Sequence, residues 1–185
     1  MLRRLAAGVA LVVALALAGC TPPEPTESTT PVATPSSESP SDEDLLVEAR
    51  TAWDAYRDRL DDFGADPSTA TREGLLEVAT PEVADALLVN FEDAAERRLH
   101  TEGTRETTAF EVSDFSSGPA SLQVSVCVDL SGERYIGDEG TDLTPPDRPN
   151  QRGSLVDLVR APERDNYLIA GEAELALTDP QNPCD

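Results

Sequence analysis

The sequence predicts an α+β domain, with helices packed on one face of an antiparallel sheet. Between Leu45 and Ala95 the apolar residues recur at three- and four-residue spacing, the period of a helix face. From Phe110 onward they alternate with polar neighbours, the period of a half-buried strand. Helices that precede the strands, rather than alternating with them, belong on one side of a sheet. Every aromatic residue of the 185-residue chain lies at or beyond Trp53, so residues 45–185 are read as one domain with one core.

What precedes that domain has a different composition. Met1 to Arg4 carries two arginines and no acid, Leu5 to Leu17 is apolar apart from Gly8, and Leu17-Ala18-Gly19 leads into Cys20. Charged region, hydrophobic region and small-residue cleavage site follow the order of a signal peptide. The apolar run falls short of the roughly 20 residues of a membrane-spanning helix. The pattern Leu-Ala-Gly-Cys resembles the bacterial lipobox. That resemblance implies a lipoprotein signal peptide over 1–19, cleavage before Cys20, and a diacylglycerol on the Cys20 thiol. An ordinary secretory signal containing a cysteine is the alternative. A single acyl chain holds a protein only marginally, so the two chains of the glycerol matter to anchoring.

The segment 20–44 is the expected tether. Thr21 to Asp44 reads TPPEPTESTTPVATPSSESPSDED, with six prolines, many hydroxyl residues and one lone Val. It lacks the apolar residues of a core and reads as a disordered linker of partly extended character. Fully extended, it reaches about 70 Å at about 3.1 Å per residue. Its composition also permits O-glycosylation.

Charge narrows the partners. The whole chain has a formal charge of −22, with no lysine. Removing residues 1–20 removes Arg3 and Arg4 and leaves 12 Arg against 36 acids, or −24. Nucleic-acid binding rests on cationic neutralisation of phosphates, so nucleic acid is not an expected partner. Anionic headgroups repel such a chain, which leaves the lipid as its membrane contact. A cationic partner or a divalent ion is attracted. Solubility through self-repulsion is the plainer consequence of the same charge.

The elements follow in order. Ser41 is placed to cap a helix whose first turn holds Asp42, Glu43 and Asp44, acids that suit the positive end of the dipole. Leu45, Ala49, Ala52, Trp53, Tyr56, Leu60 and Phe63 form its apolar face, and Gly64 is the expected stop. A short helix is expected from Thr71 to Ala79, burying Leu75, Leu76 and Ala79. Thr80 and Pro81 open a third, with Val83, Leu87, Leu88, Phe91 and Ala95 as its face and an end near His100 and Gly103. Phe110 and Val112 mark a strand. Leu122, Val124, Val126, Val128 and Leu130 alternate with Gln123, Ser125, Cys127 and Asp129 as the clearest one. Gly132, Gly137 and Gly140 break the chain after it. Ser154–Arg160 and Tyr167–Leu177 are two more strands, joined by a turn at 161–165.

With Cys20 lipidated, Cys127 and Cys184 remain. An even remainder in an oxidising space suggests a disulfide, which ties the C-terminal tail to the sheet. Two free thiols or a metal pair are the alternatives, and two Cys without a nearby His fall short of the four ligands of a structural zinc site.

The domain also resembles a known group. The segments ARTAWDAYRDRL, ATPEVADAL, VSVCVDLSG, IGDEG and QRGSLVDLVRAPERDNYLIAG, with the final Cys184, resemble small secreted actinobacterial lipoproteins. Their domain has the nuclear-transport-factor-2-like, cystatin-like fold shared with SnoaL-like cyclases and ketosteroid isomerases. The resemblance covers 45–185 and lies in element order, with Cys-x-Asp on a strand plus a C-terminal Cys as its most specific part. Tyr167 stands where the resemblance leads one to expect a Trp. It implies a curved sheet wrapped round a long helix, with a cone-shaped pocket.

Chemistry is sparse. His100 is the only histidine and sits near a helix end, where it interacts with the dipole. No nucleophile elbow, phosphate loop, zinc-protease motif, calcium loop or dinucleotide fingerprint occurs, and no cofactor or metal is expected. The resemblance makes carboxylates and tyrosines of the cone the catalytic candidates, which here are Asp129, Asp157, Tyr135 and Tyr56. Asp129 faces away from the helices if the apolar row of its strand packs beneath them. The facing of Asp157 stays open. The acidic loop 137–142 offers oxygens to a divalent ion but lacks the regular spacing of a calcium loop. The expected function is a non-catalytic ligand- or protein-binding module, lipid-anchored on the outer face of the cytoplasmic membrane. The alternatives are a SnoaL- or isomerase-like enzyme with a carboxylate in the cone, and an accessory subunit of a membrane protein complex.

Overall fold

Helix α1, Asp42–Ala65, begins where the sequence places it. The structure, a computed structural model, describes residues 41–114, 120–161 and 163–184. The expected signal peptide, Cys20 and the tether up to residue 40 lie outside the described residues, as does Phe115. At the start of α1, Ser41 Oγ accepts from Asp44 N–H at 3.2 Å, and Ser41 N–H donates to Asp44 Oδ2 at 3.1 Å. This reciprocal capping box satisfies two otherwise orphaned donors, and the Ser41 hydroxyl, donating to Asp44 Oδ2 at 2.7 Å, and then the Ser41 N–H hold the Asp44 carboxyl below its usual range. The last positions of the expected tether therefore belong to the cap and first turn of α1. Gly64 is not the stop. The helix runs on to Ala65, and a Cβ on Gly64 would stand 2.5 Å from Thr101 Oγ1, so this glycine permits close packing. No helix among the described residues is long and apolar enough to cross a membrane.

Helix α2 spans only Arg72–Leu76, capped by Thr71. It does not continue to Ala79, because the backbone there finds a sheet partner. Thr80 N–H donates to Ile169 O at 2.9 Å, and Ile169 N–H to Val78 O at 3.0 Å. These bonds also cover an edge of the sheet that would otherwise be open. Helix α3, Pro81–Glu96, ends earlier than the expected His100. Arg98 adopts φ 54°, Leu99 N–H donates to Ala94 O, and Arg98 N–H donates to Ala95 O. This is the Schellman pattern, with an arginine in the left-handed position that glycine usually marks.

The strands are β1 (His100–Glu102), β2 (Glu106–Asp114), β3 (Ser121–Asp129), β4 (Arg134–Ile136), β5 (Gln151–Arg160) and β6 (Tyr167–Leu175). β1 and β4 form a two-stranded antiparallel ladder that the sequence reading lacked. The main antiparallel sheet has the order β2-β3-β5-β6. β5 starts three residues before the expected Ser154, and β6 stops at Leu175 rather than Leu177. Bulges interrupt β2 at two points and β5–β6 between Asp157 and Leu158. Such bulges raise local twist and bend a strand, and the sheet curves round α1. Gly103, at φ 90°, lies so near the β3–β4 link that a Cβ would stand 1.9 Å from Gly132 O.

One cluster joins Leu45, Ala49, Trp53 and Tyr56 of α1 to Leu122, Val124, Val126 and Val128 of β3 and to Val156, Leu158, Tyr167 and Ile169. The apolar row of β3 thus packs beneath the helices, as strand phase requires. A second, smaller cluster holds Phe63, Leu75 and Ala84, with Phe91 half-buried beside it. Cys127 and Cys184 are joined by a disulfide across a sequence separation of 57. It draws the tail over the outer face of the sheet, where Asn182 Nδ2 donates to Ala176 O at 3.0 Å. Replacing both cysteines by alanine is expected to lower stability by about 4 kcal/mol or somewhat less on the chain-entropy model. Urea unfolding of the double variant checks this. A midpoint unchanged from wild type would contradict it.

Candidate functional site

The register of β5 places Arg152 opposite Val128, Ser154 opposite Val126 and Val156 opposite Val124 on the inner face. β6 adds Glu172 opposite Val156 and Glu174 opposite Ser154. The inner face is therefore apolar toward Leu122 and Leu158 and polar toward Arg152. Trp53 occupies the apolar part and is fully buried. Its indole Nε1–H donates to Thr107 Oγ1 at 2.9 Å, and its ring lies 5.7 Å from that of Tyr56. Trp53 thus occupies the space between α1 and the inner face of the sheet.

A cleft of about 510 Å³ remains at the polar part, between α3 and the ends of β5 and β6. Tyr56, Ser154, Arg152 and Glu172 line it on one side, and Val83, Ala86 and Leu87 on the other. Ser154 Oγ donates to Glu172 Oε1 at 3.0 Å, and Arg152 Nη2 stands 3.5 Å from the same oxygen. Tyr56 lines the cleft beside the same carboxylate. Burial, then the Glu172 carboxylate, push the Tyr56 phenol well above its usual range. It is a persistent donor and a poor base at neutral pH. The Nε of Arg152 is buried without a hydrogen bond.

Behind the cleft lies an ion cluster. Glu133 is 3% exposed, with Arg105 Nε 3.1 Å from Oε1 and Arg148 Nη1 3.1 Å from Oε2. Arg148 Nη2 also donates to the carbonyls of Leu130 and Glu133, each at 2.7 Å. Arg105 pairs with Asp61 of α1, and Arg57 Nη2 stands 3.6 Å from the same carboxylate. Burial, and next the neighbouring Arg105, lower the Arg57 pKa from its usual value. Its guanidinium lies 5.6 Å from the Trp53 ring centroid. The cluster joins the β3–β4 link to α1 through charges from four separate segments.

The structure separates the four acid–base candidates. Tyr56 alone reaches the cleft. Asp129 lies at the outer end of β3, where Ser131 N–H donates to Oδ1 at 2.8 Å and holds the carboxyl below its usual range. Asp157 shares the outer face with Gln123, whose amide donates to it at 2.8 Å, because Val156 and Leu158 turn inward. Tyr135 sits on β4 under the Arg148 guanidinium, 5.3 Å from its ring centroid. In the loop 137–142, Asp138 pairs with Arg98 at 2.8 Å, and Asp142 accepts from Thr144 N–H at 2.9 Å. Among the described residues no group of three or more His, Cys, Asp or Glu is arranged to hold a metal ion. Sequence reasoning missed Arg152, Ser154 and Glu172. The polar gaps they leave in the alternation of β5 and β6 were the available signal.

No family model matches the sequence, and no curated protein matches it. Solved structures do. The intermembrane space region of the chloroplast protein ARC6 is 14% identical, with 71% of this chain and 96% of that chain covered and a TM-score of 0.51. Aln2 from a Streptomyces species is 21% identical, with 74% and 93% covered and a TM-score of 0.41. At this identity the likeness to the ARC6 region concerns the fold alone.

Proposed function

We propose that this chain is a lipid-anchored binding module of the cell envelope, held by Cys20 to the outer face of the cytoplasmic membrane, with the cleft beside Tyr56 as its ligand site. One observation carries the reading. Trp53 is packed into the core beneath the helices, three of the four acid–base candidates lie away from the cleft, and within the cleft Glu172 is tied to Ser154 and Arg152. Such a site holds a ligand more readily than it moves a proton. The tether adds reach between membrane and domain. A basic surface on an envelope protein is a partner of suitable charge.

Two experiments test this. The anchor predicts that Cys20→Ala moves the protein from the membrane to the soluble fraction of cells. A variant that stays membrane-bound sinks the lipoprotein reading. The cleft predicts that purified protein retains a small molecule from an envelope extract through gel filtration. Ala86→Trp, an exposed position on the cleft wall, should lose it. Equal retention by both proteins, or none by either, argues against a ligand site here.

The presence of Tyr56 and Glu172 in one cleft favours one second reading, an acid–base enzyme of the SnoaL or isomerase kind working there. Turnover of a cyclase- or isomerase-type substrate that Glu172→Gln abolishes would select it.

A further inference from the structure

The cleft beside Tyr56 does not end at Leu87. Asn90 lines it and also lines a second cavity of about 270 Å³ farther along α3. Phe91, Ala94, Leu99 and Tyr135 wall this second cavity, whose lining surface is almost wholly apolar. Val83, Leu87, Asn90 and Ala94 follow one another at four-, three- and four-residue spacing, so one stripe of α3 serves both cavities. On α1, Tyr56 borders the first and Gly64 the second, eight residues apart and on one helix face. The two cavities adjoin at Asn90, and taken together as one groove they follow α3 from Glu82 to Ala94, about 18 Å at about 1.5 Å per residue.

Its halves differ in chemistry. The first presents the carboxylates of Glu82, Glu172 and Glu174 against the single guanidinium of Arg152. Arg152 is drawn to Glu172. Glu82 and Glu174 form no ion pair with any described residue, whereas most arginines of the chain do. An anion entering this half meets carboxylates inside a chain that is itself strongly acidic. A cation is drawn in, and the field of the whole chain adds to the attraction. The second half, although His100 and Thr101 also line it, presents mostly carbon and gains from covering carbon.

We infer that the groove binds an amphiphilic cation. A protonated amine sits between Glu82 and Glu174, and an alkyl or aryl body passes Asn90 to lie against Phe91, Leu99 and Tyr135. This inference rests on the ligand-binding reading and names the class of ligand.

The test uses decylamine, decanol and decanoate, each below its micelle concentration, titrated calorimetrically into the purified chain at neutral pH. Decylamine is expected to bind more tightly than either control, by about tenfold or more, and to weaken with added salt. Glu82→Gln with Glu174→Gln should lower decylamine affinity by about tenfold, the size expected for two half-solvated ion pairs, and leave decanol unchanged. Both positions are exposed, so the double variant keeps its fold. Ala94→Trp should weaken decylamine and decanol alike. Equal affinity for amine and alcohol, or a double variant that binds decylamine as wild type does, overturns the cationic head. Undiminished binding to Ala94→Trp, once its fold is verified by circular dichroism, overturns the apolar half. Failure of all three compounds to bind overturns the inference as a whole, while retention from the envelope extract, tested with Ala86→Trp, judges the binding reading separately.

Discussion

Trp53→Ala is expected to cost the domain about 3–5 kcal/mol, the range for removing a large aromatic from a packed core. Trp53 is fully buried between α1 and the inner face of the sheet. Its removal opens a cavity that the curved sheet cannot readily close. It also leaves Thr107 Oγ1 without its indole donor and takes the aromatic face from Arg57. Guanidinium unfolding should show a lower midpoint with little change in slope. Total stabilities of single domains are about 5–15 kcal/mol, so the variant can be partly unfolded at rest. Trp53→Phe then reports the same site with a smaller loss. A midpoint within error of wild type would mean that Trp53 is not packed as described, and the case for a site outside the core would weaken.

Glu133→Gln is expected to have an effect of similar size, about 3–5 kcal/mol, for an electrostatic reason. Glu133 is 3% exposed and is the shared counter-charge of Arg105 and Arg148, themselves only 15% and 14% exposed. Removing the carboxylate leaves two guanidiniums desolvated beside a third, Arg57, with Asp61 as the remaining acid. Breaking one member of a buried pair costs more than replacing the set, because the survivors keep their desolvation penalty. Adding Arg105→Met to Glu133→Gln should therefore recover part of the loss, and the coupling in a double-mutant cycle should exceed about 0.5 kcal/mol. Additive effects of the two substitutions, or a loss below about 1 kcal/mol for Glu133→Gln alone, would show that the cluster is hydrated in solution.

These two residues show how unevenly the structure was legible. Trp53 lies in a helix whose period is plain, and its place in the core follows from Ala49, Tyr56 and Leu60 beside it. Glu133 sits in SGERY, in the glycine-broken segment after β3, where no apolar period marks a buried position. Its burial comes from Arg105 and Arg148, which reach it from other loops, and pairing of that kind has no period to detect. The same holds for Asp61 and Arg105, 44 residues apart, and for Glu48 and Arg160, 112 apart. The end of α3 was missed for a related reason. Its left-handed residue is Arg98, and the expectation leaned on Gly103 instead. The cleft was half legible. Tyr56 was named on its own, while Glu172, Arg152 and Ser154 were hidden in strands that read chiefly by their apolar positions.

By itself the sequence determined what depends on near neighbours. The Ser41–Asp44 cap, the faces of α1 and α3, the phase of β3 and the evenness of the two cysteines beyond Cys20 are all local or arithmetical properties. The tertiary structure decided what depends on distant segments arriving at one place. It turned Asp157 outward, packed Trp53 into the core, buried Glu133 among arginines and left the groove along α3 open. The physical reason is common to these outcomes. Helix and strand periods are written in spacings of two to four residues, whereas desolvated charge pairs and clefts form only after the sheet has curved round α1.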